Sequence, residues 1–234
     1  PEYGGQEYLN WSILIEGKKQ ISGTTGTKNH FGVNQECEFI LGCTDPNATN
    51  FNPQANVSDE SCNYPNGGSQ LLSLVAGWNL VSSYIQTENM SMEAIMASII
   101  DDVIIVKNNL GIAYLPEFGF NGIGSWDNTQ GYQTKLYNAA VIDMTGVIIE
   151  PEQTPISLVA GWNTIAYLRL EPAPVDIVLD AFTSDIIIVK DVMGIAYLPE
   201  WGFNGIGNMN AGQGYQIKLF ASHELTYIAN DDTY

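Results

Sequence analysis

The chain has 234 residues, 45% of them hydrophobic and 11% aromatic, which predicts one large folded domain or two to three small ones and excludes extensive disorder. Eight basic residues stand against 26 acidic ones, giving a formal net charge of −18. Such a surface repels phosphate backbones and anionic lipids, so we expect no nucleic-acid partner. No apolar run approaches the ~20 residues of a membrane helix, so we expect no membrane insertion. The chain begins at Pro1 without a targeting stretch, as expected of a mature or trimmed product.

Near the N-terminus, residues 9–15 alternate apolar and polar side chains, as in a β-strand with one buried face. Left unpaired on a monomer, such a strand would expose a hydrophobic edge that promotes aggregation. Two hypotheses follow: it folds back onto its own chain, or it completes a sheet in a neighbouring subunit. In the second case, head-to-tail contacts between subunits that do not close into a ring generate a filament. The assembly strand would then consist of Leu9, Trp11, Ile13 and Ile15.

Three cysteines occur, and two of them, Cys43 and Cys62, bracket a polar loop with too few apolar residues to hold itself together. We therefore expect a disulfide between them, which favours a secreted protein. Cys37 is then buried, bonded to another chain, or the true partner of one of the other two. Three reduced cytosolic thiols are the alternative.

The bracketed loop is rich in the hard oxygen donors that Ca²⁺ takes. Its spacing is not that of an EF-hand, and Asn and Asp also dominate tight turns. A calcium site and a set of Asx turns therefore both stay open. The candidate ligands are Asp45, Asn47, Asn50, Asn52, Asp59 and Glu60.

Four Asn-x-Ser/Thr tripeptides would permit N-glycosylation of a secreted chain. An Asn-rich sequence also produces such tripeptides by chance, so they permit a glycoprotein without requiring one. They lie at Asn10, Asn47, Asn56 and Asn89.

The remainder of the chain repeats itself, and this repeat determines the expected architecture. Ser73–Asn79 returns as Ser157–Asn163, and Gly111–Glu117 returns as Gly194–Glu200. The other repeated segments are Ile104–Lys107 with Ile187–Lys190, Gly119–Gly124 with Gly202–Gly207, and Gln130–Gln133 with Gln213–Gln216. We therefore predict an N-terminal region of residues 1–69 with the strand and the loop, a first module at 70–150 and a second module at 151–234.

Each module is predicted to be α+β and mainly β, so the fold class is two homologous small modules in tandem after the strand and loop region. Residues 71–85 resemble a two-stranded hairpin, and residues 92–99 have apolar side chains at helical spacing behind a capping Ser91. The run at 103–106 is typical of a strand covered on both faces, and residues 141–142 could close the sheet. Modules of about 75 residues are near the limit of independent stability, so we expect the two copies to pack together.

The repeated Gly-Trp-Asn, Ile-Ile-Val-Lys, Gly-Phe-Asn-Gly-Ile-Gly and Gly-Tyr-Gln segments resemble a repeat of large secreted surface proteins of Bacteroidota-type bacteria. The stretch from Gly42 to Cys62 resembles another recurring element of such proteins, and together the two cover roughly residues 42–220. The resemblance implies export and a place on or outside the cell. It implies no enzymatic activity.

No catalytic constellation is apparent, because His30 and His223 are the only histidines and neither stands in a triad or metal-ligand pattern. Aromatic side chains that could stack on sugars gather around one turn of each module, although retained aromatics are also common in cores. This possible glycan platform consists of Tyr114, Phe118, Trp126, Tyr132, Tyr197, Trp201 and Tyr215.

Together these features predict a non-enzymatic extracellular or cell-surface structural protein that assembles with copies of itself. Strand addition between subunits would make it a filament or another homopolymer. The alternative is an adhesin or carbohydrate-binding surface protein with glycan partners. Calcium is the one cofactor that the sequence indicates.

Overall fold

The computed structural model describes residues 9–15, 19–25, 39–44, 46, 48–59, 61–62 and 66–234. It divides into two compact units, Pro1–Phe39 and Ile40–Tyr234. With 43% strand and 16% helix, the protein has the predicted α+β, mainly β class. In the described ranges no helix is long and apolar enough to cross a membrane.

The first unit contains one antiparallel pair, β1 (Leu9–Ile15) and β2 (Lys19–Thr25). Leu9 lies opposite Thr25 and Ile15 opposite Lys19, so the ladder is continuous over seven residues. The strand of the assembly hypothesis is therefore paired along one edge with its own chain. In the described part of the chain this sheet has two strands, and strand addition stays a prediction for their outer edges.

The second unit begins with the cysteine loop, where β3 (Leu41–Gly42) and β4 (Val57–Ser58) pair in parallel. Cys43 and Cys62 form the expected disulfide, whereas Cys37 lies outside the described residues. The Glu88 carboxylate accepts hydrogen bonds from the hydroxyl groups of Thr44 and Ser58, the latter at 2.9 Å. The loop is thereby tied to the first repeat by polar contacts as well as by the chain.

The first repeat, residues 70–150, contributes to two antiparallel sheets. The strands are β5 (Gly67–Leu74), β6 (Gly77–Val81), β7 (Ile85–Gln86), β8 (Val103–Lys107), β9 (Ala113–Leu115), β10 (Phe120–Asn121), β11 (Tyr132–Leu136) and β12 (Ala140–Ile148). One sheet has the order β10-β9-β8-β11-β6 and the other β5-β12-β7. The helix α1 (Met92–Met96) and the 3-10 helix Ala97–Asp102 connect β7 to β8, and a 3-10 turn at Pro116–Phe118 separates β9 from β10.

The second repeat, residues 151–234, opens with a 3-10 turn at Pro151–Gln153 and repeats the five-stranded sheet. Its elements are β13 (Ile156–Leu158), β14 (Gly161–Ala166), β15 (Ala173–Pro174), α2 (Val175–Val178), the 3-10 helix Asp180–Asp185, β16 (Ile186–Lys190), β17 (Ala196–Leu198), the 3-10 turn Pro199–Trp201, β18 (Phe203–Asn204), β19 (Asn208–Met209), β20 (Gly214–Leu219) and β21 (His223–Leu225). The five-stranded sheet has the order β14-β20-β16-β17-β18, which uses the equivalent strands in the same order as the first repeat. Two separate two-stranded sheets, β13-β21 and β15-β19, complete the second repeat.

The helix begins where the sequence predicts, because the Ser91 side chain accepts a hydrogen bond from the Ala94 backbone N–H at 3.2 Å. In the second repeat Pro174 takes the N-cap position itself. The apolar faces of both helical segments are buried in two hydrophobic clusters, one within residues 72–144 and one within residues 149–227. Each five-stranded sheet thus has one face on a core of its own.

The predicted hairpin over residues 71–85 is wrong, because β5 and β6 belong to different sheets. The Asn79 side chain explains this, since it accepts from the Val75 N–H and donates to the carbonyl oxygens of Val75 and Gly77. The Asn79 side-chain amide therefore provides the hydrogen bonds that these backbone groups of Val75 and Gly77 would make across the strands of a hairpin. Gly77, with φ of 91°, turns the chain from the first sheet into the second.

Two further details differ from the prediction. The strand at 103–106 is buried at Val103 and Val106 only, so its other face is partly exposed rather than covered. Residues 141–142 lie in β12, which pairs with β5 in the three-stranded sheet and does not close the five-stranded one.

The two repeats pack together, as expected, through reciprocal backbone contacts. The Ser82 N–H donates to the Gly212 carbonyl oxygen at 3.1 Å, and the Ala166 N–H donates to the Thr129 carbonyl oxygen at 3.2 Å. Ser82 and Ala166 occupy equivalent positions in the two copies, as do Thr129 and Gly212. The contact therefore has the form of a two-fold interface within one chain.

At the centre of this contact lie Gly131 and Gly214, the glycines of the repeated Gln-Gly-Tyr segment. A Cβ at Gly131 would stand 2.8 Å from the Ile165 carbonyl oxygen and 3.2 Å from the Cα of Gly214. A Cβ at Gly214 would stand 3.2 Å from the Cα of Gly131. The two chains can approach this closely only because both positions lack a side chain.

We predict that Gly131→Ala destabilises the second unit by about 1–3 kcal/mol, because the methyl group meets backbone that cannot move aside. Denaturant unfolding measures this change. Gly122→Ala is the matched control, since its Cβ would meet only the side chains of Ile112 and Phe120, both exposed. Equal losses in the two variants would contradict the importance of the contact.

Candidate functional site

The five-stranded sheet of the first repeat turns one face toward solvent, and this face carries an exposed tryptophan and two lysines. Trp78 on β6 lies opposite Lys135 on β11, which in turn lies opposite Ile105 on β8. In the next row Gln133 lies opposite Lys107. Because partners in an antiparallel ladder project to the same side, these five residues form one outward surface, which we term face A.

In face A both ammonium groups lie over the Trp78 indole. The Lys107 Nζ is 4.6 Å from the ring centroid and the Lys135 Nζ is 5.5 Å from it. Both distances are within the range of cation–π attraction, worth about 0.5–1 kcal/mol at an exposed site. The ring is nonetheless 45% exposed, so part of it stays accessible to a ligand.

The second repeat builds the same surface, which we term face B. Trp162 lies opposite Lys218, with the Nζ atoms of Lys190 and Lys218 at 4.6 and 5.7 Å from the indole centroid. Trp162 is also 45% exposed. Face B consists of Trp162, Ile188, Lys190, Gln216 and Lys218, identical in type to face A.

Several core positions behind these faces differ between the copies, whereas the five residues of each face match; the buried cross-strand partners of Gln133 and Gln216, Leu80 and Thr164, also differ. Buried positions differ in the pairs Met92 and Val175, Ile99 and Phe182, Trp126 and Met209, and Thr134 and Ile217. Cores tolerate such exchanges when volume is preserved, and exposed positions have no packing requirement of comparable strictness. Core packing alone does not require the two faces to match.

A second exposed surface lies at the far edge of each five-stranded sheet, around the turn between β9 and β10 and its counterpart. Phe118 is 75% exposed and the equivalent Trp201 is 80% exposed. We term these surfaces turn A and turn B. Turn A consists of Leu110, Ile112, Phe118 and Phe120, and turn B of Met193, Ile195, Trp201 and Phe203, all of them exposed.

The turns are rigid although their apolar side chains are exposed. Gly119, at φ of 59°, donates its N–H to the Pro116 carbonyl oxygen at 2.9 Å. The Asn121 side chain accepts from the Gly124 N–H at 2.8 Å and donates to the Glu93 carboxylate at 2.8 Å. Gly202 and Asn204 make the equivalent contacts to Pro199, Gly207 and Asp176. The repeated Gly-Phe-Asn-Gly-Ile-Gly segment is thus a structural turn that holds an aromatic ring outward.

Most of the predicted glycan platform is not at the surface, and the prediction is corrected on this point. The rings of five members are buried in the two cores: Tyr114, Trp126, Tyr132, Tyr197 and Tyr215. Only Phe118 and Trp201 present their rings to solvent. Buried rings have no face free to stack on a sugar, so only those two remain available.

The buried phenols have a structural task. The Tyr132 hydroxyl accepts a hydrogen bond from the Asp127 N–H at 2.7 Å, and the Tyr215 hydroxyl accepts from the Asn210 N–H at 2.9 Å. Burial raises the pKa of Tyr132 to about 12, and desolvation also raises the pKa of Tyr215. Both phenols are therefore neutral core groups that anchor the loop before the Gln-Gly-Tyr segment.

In the cysteine loop, the described candidate calcium ligands make local hydrogen bonds. Asn52 accepts from the Gln54 N–H and Asp59 from the Ser61 N–H, each at 3.0 Å, while Asn50 donates to the Ser61 carbonyl oxygen. The bonds from Ser61 hold the pKa of Asp59 below its usual value. Among the described residues no group of three His, Cys, Asp or Glu side chains comes together. Asp45, Asn47 and Glu60 lie outside the described residues, so a calcium site stays a prediction.

Two of the predicted glycosylation sites are described with their side chains. Asn56 and Asn89 are exposed, and their side-chain oxygens accept hydrogen bonds from the N–H groups of Ile40 and Ser91. Asn10 lies in β1, and Asn47 lies outside the described residues. Glycosylation stays a prediction at all four.

Sequence reasoning missed faces A and B, although two patterns point to them. Trp78 and Trp162 stand at the same position of the repeated Gly-Trp-Asn segment, and both are exposed in strands whose following residues are buried. All four lysines of residues 40–234 fall at two repeated strand positions, in a chain with eight basic residues.

Comparison with protein-family models, curated proteins and solved structures finds no match to this chain.

We predict that the second unit loses stability as the pH rises from about 10 to about 12. Tyr132 ionises near pH 10 when unfolded but near 12 when folded, so alkali favours the unfolded chain by up to about 1.4 kcal/mol per pH unit for this group. Denaturant midpoints between pH 8 and 11.5 measure the effect. Tyr132→Phe should flatten the dependence, whereas Tyr137→Phe, at an exposed position, should not; equal slopes in both would contradict the assignment.

Proposed function

We propose that the protein is a non-enzymatic extracellular surface protein that binds carbohydrate through the outward sides of its two five-stranded sheets. The observation that carries this proposal is the duplicated pair of exposed aromatic rings, Phe118 and Trp201, on rigid turns. A ring carried on a hydrogen-bonded turn offers an apolar face to the C–H groups of a sugar. The disulfide is compatible with export.

The side chains between the aromatic rings support the same proposal. On each sheet Lys107 and Gln133, or Lys190 and Gln216, lie in the ladder row next to that of the exposed indole. Ammonium and amide groups donate hydrogen bonds to sugar hydroxyls, and the amide oxygen also accepts them. Exposed aromatic rings and polar donors within one repeat are the groups that a saccharide of several units requires.

We predict that Phe118→Ala and Trp201→Ala together weaken glycan binding about tenfold or more, because each removes a stacking surface. A glycan array with the full chain identifies the ligand, with parallel arms in calcium and in EDTA to test whether the cysteine loop contributes. The matched control is Tyr137→Ala with Phe220→Ala, two equivalent exposed aromatic positions at the opposite end of the sheet strands. Absence of any glycan ligand would exclude the proposal.

A second candidate function, a filament subunit, is favoured by the β1–β2 hairpin. The hairpin belongs to a unit of its own, and in the described ranges neither strand has a partner on its outer edge. Isolated two-stranded hairpins are marginally stable, and adding a strand from another copy would extend the ladder.

Negative-stain electron microscopy of the full chain tests this function. We expect filaments from the natural sequence and none from Ile13→Pro, because proline removes a ladder N–H and distorts the strand. Ile13→Val is the control, since it preserves a β-branched residue. Dispersed particles from the natural sequence would count against assembly and leave carbohydrate binding unaffected.

A further inference from the structure

We infer that faces A and B are two equivalent binding sites for carboxylated saccharides, in which each indole stacks on a sugar ring and its two lysines hold the carboxylate. This inference rests on the proposed carbohydrate binding and names the chemical class of the sugar. It concerns different side chains from those of turns A and B, so that the two can be tested separately.

The first argument is the pairing of the lysines. Residues 40–234 contain 21 Asp and Glu residues and four lysines. Within the described residues none of the four forms a salt bridge, and the ion pair found there joins His223 to Asp185. All four ammonium groups lie over the two indoles instead. No carboxylate of the described residues therefore lies within salt-bridge distance of these ammonium groups.

The second argument is that the arrangement matches an acidic sugar in shape and charge. Lys135 is the direct cross-strand partner of Trp78, and Lys107 reaches the same ring from the next strand pair. When the two lysine side chains leave the ring face, their ammonium groups can donate charge-assisted hydrogen bonds to a carboxylate while the ring contacts the sugar to which it is attached. A neutral sugar would use only part of this arrangement.

The third argument is the preservation of the arrangement. Trp78, Lys107 and Lys135 are matched in type by Trp162, Lys190 and Lys218, although buried residues behind them differ. Each cation–π contact at an exposed site is worth only about 0.5–1 kcal/mol, so the fold gains little from either lysine. A ligand that needs both charges does account for them.

The overall charge restricts the ligand further. A net charge of −18 opposes densely charged polyanions over distances longer than the Debye length of about 8 Å at physiological salt. A short saccharide with one carboxylate per sugar is bound by local contacts inside that distance. The chemistry therefore favours uronic-acid units over sulfated or phosphorylated polymers.

Isothermal titration calorimetry of the full chain with trigalacturonate, in 0.15 M salt, tests the inference. We expect two sites per chain. We also expect the fully methyl-esterified trisaccharide, which has the same rings without charge, to bind at least about tenfold more weakly. The double variant Lys107→Gln, Lys135→Gln should leave one site, and the quadruple variant that adds Lys190→Gln and Lys218→Gln should leave none.

The matched control is Lys18→Gln with Lys28→Gln, which changes the net charge by the same amount as one double variant and lies outside residues 40–234. It should retain both sites. A further control is Tyr137→Ala with Phe220→Ala, two exposed aromatic positions outside faces A and B, which should retain lysine-dependent binding of the carboxylate. Thermal unfolding of every variant verifies that the fold is intact.

Three results would overturn the inference: no binding of trigalacturonate at millimolar concentration, equal binding of the methyl ester, or binding unaffected by the quadruple variant. If the glycan array detects a neutral ligand lost in the Phe118 and Trp201 variants, the proposed carbohydrate binding survives this failure. If carboxylate binding depends on the lysines while the turn variants lose nothing, the inference stands and the proposed function is narrowed to the sheet faces.

Discussion

The close approach of Gly131 and Gly214 determines how the two repeats of the second unit are joined. Each glycine follows a glutamine that forms a backbone bridge to the other repeat, Gln130 to Ile165 and Gln213 to Val81. With reciprocal N–H to carbonyl bonds around the two glycines, backbone rather than side chains carries the contact. Backbone contacts of this kind are insensitive to exchanges in the cores, which explains how the cores could diverge while the sheets kept one relative position.

That fixed position matters for faces A and B. Under the proposed function, two sites on one compact unit would meet a ligand at a constant separation, and a saccharide chain long enough to reach both would gain from effective concentration rather than from new contacts. A linker between independently moving modules would lose much of that gain. The proposal thus gives the duplication a physical use in multivalent binding that a single module would lack.

Sequence reasoning was accurate where local chemistry decides the outcome. Ser91 caps a helix, the β-branched run at Val103 forms a strand, and Cys43 bonds to Cys62, because each depends on neighbouring residues or on loop composition. It failed at residues 71–85, where the spacing is typical of a hairpin. There the Asn79 side chain forms the hydrogen bonds to the Val75 backbone that a hairpin partner would otherwise form. Long-range pairing of β5 with β12 determines the sheet there, and no local pattern encodes it.

The glycan platform failed for a related reason. An aromatic residue in a strand is equally compatible with either face, and a shift of one position reverses inside and outside. Tyr132 and Lys135 stand three residues apart on β11, so one points inward and the other outward, and only the register against β6 and β8 decides which. Once that register is known, charge provides the stricter criterion. A lysine can be buried only at high cost, so the lysines of an acidic chain mark the outward face of a strand more reliably than its aromatics do.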